Sequence, residues 1–399
     1  MARTRSRTRR ALPWTAVAVL AVAALLRAPI TSVPPALPSL RADLHLGPAL
    51  AGATTSLPLM CFGIFAFTAP FVVRRLGLER TMLALLVPMT LGIAVRSTGG
   101  AALFFVGTVL VGVGIAVGNV LVPSFIRYRF PAQVALLMGL YTAVLQLSGA
   151  AGSALTAPLE VDLGWGWAPA LLVWAVPAAA VLAWWAVLVH RAPPRQTGTL
   201  TPPSGFATVA RAPLTWLITA FMGLQSLVFY SIATWLPDQL MAQGWSASVA
   251  GVVLGLLSLL GLPGAFLAPH HATSGHAPAW IAGVFGAQIV GVLCLQLGPA
   301  PAVVGALVCG VAQGGAFSTA LTFIADQPRS ADVPALSAIA QGTGYVLAAA
   351  GPVVVGAIYG AAGTWVTPNL ALVGVLVVLI ALGSVVGPTL RRAKAAAGR

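Results

Sequence analysis

The chain is a succession of long apolar runs separated by Gly, Pro or charged residues. A helix that crosses a bilayer needs about 20 mostly apolar residues, and twelve runs are close to that length. Charged residues make up only 7% of the chain, against about 25% in soluble domains. The pattern predicts an all-α membrane protein. We number the runs as spans 1 to 12; they lie near 12–39, 48–73, 80–96, 101–126, 133–158, 167–190, 212–238, 246–268, 278–297, 300–325, 332–359 and 366–388.

The positive charge is unevenly placed. A net charge of +14 would suit a nucleic-acid-binding protein, but eighteen of the 21 Lys and Arg residues fall on the side of the two termini. This is the positive-inside pattern of membrane proteins. We therefore expect both termini in the cytoplasm, a location in the cell membrane, and no nucleic-acid partner. No small-residue cleavage site follows the basic N-terminus before Arg27, so the first helix is expected to be retained.

The two halves of the sequence resemble each other. At an offset of 199 residues, Leu37-Pro38 corresponds to Leu236-Pro237, and Ala69-Pro70 corresponds to Ala268-Pro269. Two parallel six-helix repeats of this kind form pseudo-symmetric bundles that hold a substrate between them at mid-membrane depth. The predicted organisation is a basic cytoplasmic tail, a bundle, a Pro- and Ser-rich cytoplasmic linker, a second bundle and a second basic tail, at 1–11, 12–190, 191–211, 212–390 and 391–399.

Arg27 is a charge within the apolar run of span 1. The run before it is too short to cross a bilayer, so the helix is expected to continue through Ile30 and Val33. The prolines that follow Arg27 should kink or end the span on its outer side. A charge at that depth is costly and usually marks a transport pathway, which predicts a cavity-facing guanidinium with an anionic visitor. The alternative is that Arg27 snorkels along its stem to the outer surface.

Several segments together resemble one family. The chain is similar, from about residue 12 to 387, to the cyanate permease / 2-nitroimidazole transporter branch of the major facilitator superfamily. The matching segments are LLRAPITSVPPALPSLRADL, TTSLPLMCFGIFAFTAPFVVRRLGLER, GVGIAVGNVLVPSFIRYRFP, MGLYTAVLQLSGA, FMGLQSLVFYSIATWLP and AQGTGYVLAAAGPVVVGAIYG. The resemblance implies the major facilitator fold and transport of small solutes, either cyanate-like anions or nitro-heterocycles. Two loops depart from the family: PFVVRRLGLER lacks the usual aspartate, and PHHATSGHAP has histidines in place of arginines.

Four polar residues lie in the spans that line the cavity in carriers resembling this one. Spans 1, 4, 7 and 10 contribute Arg27, Asn119, Gln225 and Gln313. Each amide can donate two hydrogen bonds and accept two, which suits a small polar or anionic solute. The alternative is that the amides only join neighbouring helices. Gln225 is favoured as a site residue because its neighbour Ser226 corresponds to Arg27 at the 199-residue offset.

Four further candidates lie in spans 5, 7 and 11, and these are Tyr141, Tyr230, Gln341 and Tyr345. Tyr141 and Tyr345 would stack on a planar substrate or, alternatively, fill packing space as amphipathic aromatics.

Two transport functions remain open from the sequence. The first is a carrier for a small anionic or polar solute with Arg27 as its counter-charge, and the second is an efflux carrier for planar compounds. No nucleophile–base pair is visible, so an enzyme is not expected. No cofactor, metal site or oligomer is expected either. No Asp or Glu lies in the middle of a span, so the prediction is facilitated or exchange transport, or coupling to a proton whose carrier is not identified.

Overall fold

The computed structural model describes residues 5–191, 206–272, 274 and 276–397. The first half of the chain is a series of helices broken by short turns. They are α1 (Arg5–Leu25), α2 (Ala28–Thr31), α3 (Val33–Asp43), α4 (Pro48–Phe65), α5 (Ala69–Leu76), α6 (Leu78–Arg96), α7 (Ala101–Arg129), α8 (Val134–Ala157), α9 (Trp167–Leu172) and α10 (Ala175–Arg191). Short 3-10 turns precede α5 and α8, and a π-helical turn, Pro158–Asp162, extends α8.

The second half continues in the same manner. Its helices are α11 (Phe206–Arg211), α12 (Pro213–Met241), α13 (Ala247–Ala272), α14 (Ala277–Cys294), α15 (Pro299–Ala325), α16 (Val333–Ala362) and α17 (Val366–Ala397). Across the described residues, 12 helical segments are long and apolar enough to cross a membrane. The predicted all-α membrane fold with twelve spans is confirmed.

Span 1 is interrupted in its middle. Helix α1 ends at Leu25, Leu26 and Arg27 form a turn, and the helix resumes at Ala28. Pro29 explains the position of this break, because it has no N–H to donate to the Leu25 carbonyl and its ring clashes with that carbonyl. The chain does continue through Ile30 and Val33 as predicted, but as separate short helices rather than as one.

The C-terminal basic segment is more ordered than a tail. Helix α17 continues to Ala397, because its Ala-rich end favours helix. Arg391 donates a hydrogen bond from Nη1 to the Ser274 carbonyl oxygen at 2.8 Å, and Lys394 forms an ion pair with Asp326. These contacts attach the basic end of α17 to its own bundle.

The predicted linker and the N-terminal tail are described only in part. Residues 1–4, and 192–205 of the linker, lie outside the described residues. The remainder of the linker includes the short helix Phe206–Arg211, and the N-terminal segment is already helical from Arg5. The described parts of both segments are thus helical in part, and the predicted boundaries stay a prediction.

The two bundles meet along two pairs of helices, α4 with α16 and α8 with α13. Small residues bring their backbones into direct contact. A Cβ added to Gly52 would clash with the Pro352 carbonyl, and one added to Gly255 would lie 3.0 Å from the Ala150 carbonyl oxygen. Membrane helices pack closely where glycine and alanine meet, so these seams are tight.

Candidate substrate site

The break in span 1 is held against α8. Thr31 donates a hydrogen bond from Oγ1 to the Gly149 carbonyl oxygen at 2.8 Å. Two glycines on α8 make room for this contact. A Cβ at Gly149 would lie 3.6 Å from the Arg27 Cβ, and one at Gly152 would lie 2.7 Å from the Ala28 carbonyl oxygen. The backbone around Arg27 is therefore fixed by packing, although the helix there is broken.

Three tyrosines surround the Arg27 guanidinium. Tyr141 of α8, Tyr230 of α12 and Tyr345 of α16 interact with it electrostatically, and Tyr230 does so most strongly. Tyr141 and Tyr230 are buried, and the Tyr345 ring packs edge-to-face on Phe62 with 5.7 Å between ring centroids. Arg27 and Tyr141 belong to the first bundle, whereas Tyr230 and Tyr345 belong to the second. Four of the eight predicted residues thus meet between the bundles.

The Arg27 charge has phenols rather than carboxylates as partners. Its interactions within the described part of the chain are with the three tyrosines, and no Asp or Glu is among them. A guanidinium keeps its proton in proteins, so this group of side chains carries a net positive charge. The guanidinium and three hydroxyl groups are all hydrogen-bond donors. The arrangement suits a small ligand that is rich in acceptor atoms and negatively charged.

Gln225 and Gln313 belong to a chain of amides inside the second bundle. Gln313 donates from Nε2 to Oε1 of Gln225 at 3.0 Å, and it accepts from Nε2 of Gln288 at 2.9 Å. Gln225 is fully buried and also donates to Ser226 Oγ at 2.7 Å. This chain of amides joins α12, α15 and α14, and its hydrogen bonds use both the Oε1 and the Nε2 atom of Gln225. Sequence reasoning did not include Gln288, although its position in an apolar run is the same signal that selected the other amides.

The last two predicted residues lie in different surroundings. Gln341 is partly buried one helical turn before Tyr345, and its Nε2 donates to Ser337 Oγ at 2.7 Å. Asn119 is exposed on α7. The exposed apolar residue Val106 lies thirteen positions before it on the same helix. Because each residue of an α-helix turns by about 100°, the two side chains point about 140° apart. Asn119 therefore lies on a different face of α7 from the Val106 side.

Arg96 is a buried residue that sequence reasoning missed. It is the last residue of α6 and of the apolar run that defines span 3. In the structure only 1% of it is exposed, and its Nη1 donates to the Pro29 carbonyl oxygen at 2.7 Å. The end of an apolar run does not reveal whether the next helix covers it, so no sequence signal distinguished the two cases.

Polar contacts close the distal end of the molecule, which we define as the end opposite the two termini. Arg41 of α3 donates to Asp238 of α12 at 3.1 Å, and its guanidinium carbon lies 5.8 Å from the Trp235 ring centroid. Ser248 of α13 donates to Asp162 at 2.8 Å. We call the Arg41–Asp238 and Ser248–Asp162 contacts the distal bridge. Both contacts join one bundle to the other.

A cleft of about 680 Å³ also opens near the distal end, but it contains none of the predicted site residues. Its lining includes Ser39, Asp43, Glu160 and Trp167. The two carboxyl groups make this cleft unsuitable for an anion. Arg27 with its three tyrosines remains the better candidate for the substrate site, because the positive charge and the hydrogen-bond donors both favour an anion.

Comparison with known proteins decides the family. The family model described as Major Facilitator Superfamily matches residues 19–352. The chain belongs to the major facilitator superfamily. Relatives within this superfamily agree with the branch that the sequence indicated. The chain is 37% identical to the 2-nitroimidazole transporter of Escherichia coli, with 91% of this chain and 92% of the relative covered. It is 29% identical to the cyanate transport protein CynX of the same organism, with 90% and 95% covered.

Other similarities agree with this placement. An uncharacterized transporter, YycB of Bacillus subtilis, is 36% identical over 94% of this chain and 93% of the relative. Among solved structures, a bacterial homologue of the lysosomal transporter Spinster gives a TM-score of 0.78 at 16% identity, with 96% of this chain and 98% of that chain covered. At such identity the likeness shows the fold alone. Together, the family and relatives make this chain a membrane transporter and not an enzyme.

Proposed function

We propose that the protein is a secondary carrier that binds a small anion between its two bundles, with Arg27 as the counter-charge. The observation that carries this proposal is the electrostatic interaction of Arg27 with tyrosines of both bundles. A snorkelling arginine would extend toward the membrane surface instead. A charge inside the membrane with no carboxylate partner is costly, and an anionic substrate would offset that cost in each transport cycle.

The chemistry of the site supports an acceptor-rich substrate. A relative is named a cyanate transport protein and another a 2-nitroimidazole transporter. Cyanate and nitro groups both present terminal acceptor atoms, which the guanidinium and the three phenols of Tyr141, Tyr230 and Tyr345 would satisfy. Asn119 and Gln341 are proposed as secondary contacts, because neither amide is fully buried. Gln225 and Gln313 would act mainly by joining helices.

The contacts that join the bundles at the distal end support an alternating-access cycle. The distal bridge joins the bundles at one end, so a substrate could reach Arg27 from that end only after both contacts open. The basic termini place the other end in the cytoplasm by the positive-inside rule. The proposed cycle rocks a single monomer between these two openings. No carboxylate among the described residues interacts with Arg27, so the proposal is facilitated or exchange transport.

A second function, efflux of planar neutral compounds, is favoured by the ring of tyrosines. Aromatic faces bind flat apolar molecules without a charge. In that case Arg27 would be structural, and its charge would not affect transport. The two functions therefore predict opposite results for one substitution.

The test is counterflow in proteoliposomes with labelled cyanate and with neutral 2-nitroimidazole. For Arg27→Gln we expect cyanate transport to fall about 100-fold, which corresponds to the loss of about 3 kcal/mol from a charge-assisted contact. Transport of the neutral compound should change less than threefold. The matched control is Arg129→Gln, which removes an exposed arginine at the terminal end of α7 and should leave both rates unchanged.

Equal rates for wild type and Arg27→Gln with both solutes would reject the anion carrier. If Arg27→Gln transports neither solute although the amount of folded protein is normal, Arg27 is needed for the transport cycle and not for recognition of the charge.

A further inference from the structure

The second buried cation of the first bundle, Arg96, has a single hydrogen-bond partner. Its Nη1 donates to the Pro29 carbonyl oxygen at 2.7 Å, whereas Nε and Nη2 have no partner. Among the described residues no carboxylate forms an ion pair with Arg96, so its charge is uncompensated. An unpaired buried charge opposes folding strongly.

The fold does not require a cation at this position. At the 199-residue offset, Arg96 corresponds to Leu295, which caps α14 and is 2% exposed. The second bundle therefore has a buried apolar side chain at the end of the corresponding helix. Replacing a buried charged side chain by a hydrophobic one of similar volume often stabilises a protein. The charge at position 96 must serve something other than packing.

The contact made by Arg96 is next to the substrate site. Pro29 lies two residues after Arg27, in the one-turn helix α2. Its carbonyl also accepts a hydrogen bond from Ser32 Oγ at 3.2 Å. Arg96 itself is held by helix packing, because a Cβ at Gly107 would lie 2.5 Å from the Arg96 backbone nitrogen. A firmly placed donor on α6 thus holds the segment that follows Arg27.

We propose that Arg96 is a positioning residue for anion binding: it anchors the Pro29 carbonyl so that Arg27 faces the tyrosines, and its uncompensated charge favours anions over neutral solutes. This inference rests on the proposed function of Arg27. The first bundle then carries two permanent cations without a carboxylate beside either. Charges act over longer distances in the membrane interior than in water because the dielectric constant is low.

The test compares Arg96→Met and Arg96→Lys with wild type. Methionine supplies a shorter, unbranched apolar side chain without the charge, and lysine keeps the charge without the planar fork. For each variant we would measure the thermal midpoint in detergent, and KM and Vmax for cyanate and for neutral 2-nitroimidazole in proteoliposomes. For Arg96→Met we expect an unchanged or higher midpoint, a KM for cyanate raised about tenfold, and a KM for 2-nitroimidazole changed less than twofold. For Arg96→Lys we expect cyanate KM within threefold of wild type.

A merely structural arginine gives the opposite pattern. Arg96→Met would then lower the midpoint and raise the KM values of both solutes by the same factor, so the preference for cyanate would stay at its wild-type value. That result overturns the inference. Failure of the proposed function is separate, because it appears as unchanged cyanate transport in Arg27→Gln. If Arg27→Gln loses cyanate transport while Arg96→Met keeps the wild-type ratio of the two KM values, the inference alone is wrong.

Discussion

The two bundles share a backbone plan and differ in their buried chemistry. The first bundle holds Arg27 and Arg96, two cations without a carboxylate partner among the described residues. At the corresponding positions the second bundle has Ser226 and Leu295, and beside Ser226 begins the chain of amides through Gln225. Repetition therefore supplies two bundles of the same plan, which the proposed cycle would rock against each other. The charge that would recognise an anion is confined to one of them.

The largest effect, on the yield of folded protein, is expected when an arginine is introduced into the second bundle at the position that corresponds to Arg27. Ser226 is 3% exposed, and Ser226→Arg would bury a cation beside an amide that already has its partners. An uncompensated buried charge costs about 3–5 kcal/mol, so we expect little folded protein after purification. Ser226→Met is the control for size, and its yield should lie near that of wild type. Equal losses for the two variants would mean that volume alone, not charge, separates the bundles.

The next effect concerns the contact between bundles at the distal end. Asp238→Asn leaves the Arg41 guanidinium without its ionic partner, at a cost of about 1–2 kcal/mol for the closed state. This corresponds to a shift of about 5- to 30-fold toward states open at the distal end. Spin labels at the exposed residues Ala42 and Ala242 would report it as a larger share of long distances. An unchanged distance distribution would show that the ion pair does not hold the bundles closed.

The amide chain tests whether the second bundle contributes structure or recognition. Gln225→Leu removes the acceptor of Gln313, and an unsatisfied buried donor costs about 1–2 kcal/mol. We expect a lower thermal midpoint and a KM for cyanate within threefold of wild type. A normal midpoint with a raised KM would instead place Gln225 in the substrate site.

The smallest effect should come from a single phenol. Tyr141→Phe removes one donor from the group around Arg27 and keeps the ring. The loss of about 1 kcal/mol should raise the KM for cyanate about fivefold and leave Vmax unchanged. Tyr128→Phe, on an exposed residue of α7, is the matched control. If both variants behave like wild type, the hydroxyl of Tyr141 does not contact the substrate.

Much of the fold could be predicted from the sequence because run length and bilayer thickness determine the spans. The break in span 1 was less predictable: Pro29 indicated a disturbance, but the turn at Leu26 and Arg27 depends on how α2 packs against Gly149 and Gly152.

The candidate site was predicted only in part. A charge and aromatic residues inside apolar helices are visible in any sequence, and Arg27 with its three tyrosines do come together. The direction of an amide is not visible, because a helix that is apolar on every side does not show which face meets the cavity. The sequence therefore favoured Gln225 over Asn119, whereas in the structure the Gln225 amide is occupied by hydrogen bonds within its own bundle. The burial of Arg96 depends on tertiary packing that no local pattern contains.

Equilibrium binding of labelled cyanate in detergent tests the central claim most directly, because it separates recognition from the transport cycle. With Arg27→Gln the Kd should rise about 100-fold, equivalent to about 3 kcal/mol, whereas Arg27→Lys should stay within about tenfold of wild type. An unchanged Kd in Arg27→Gln would contradict the account.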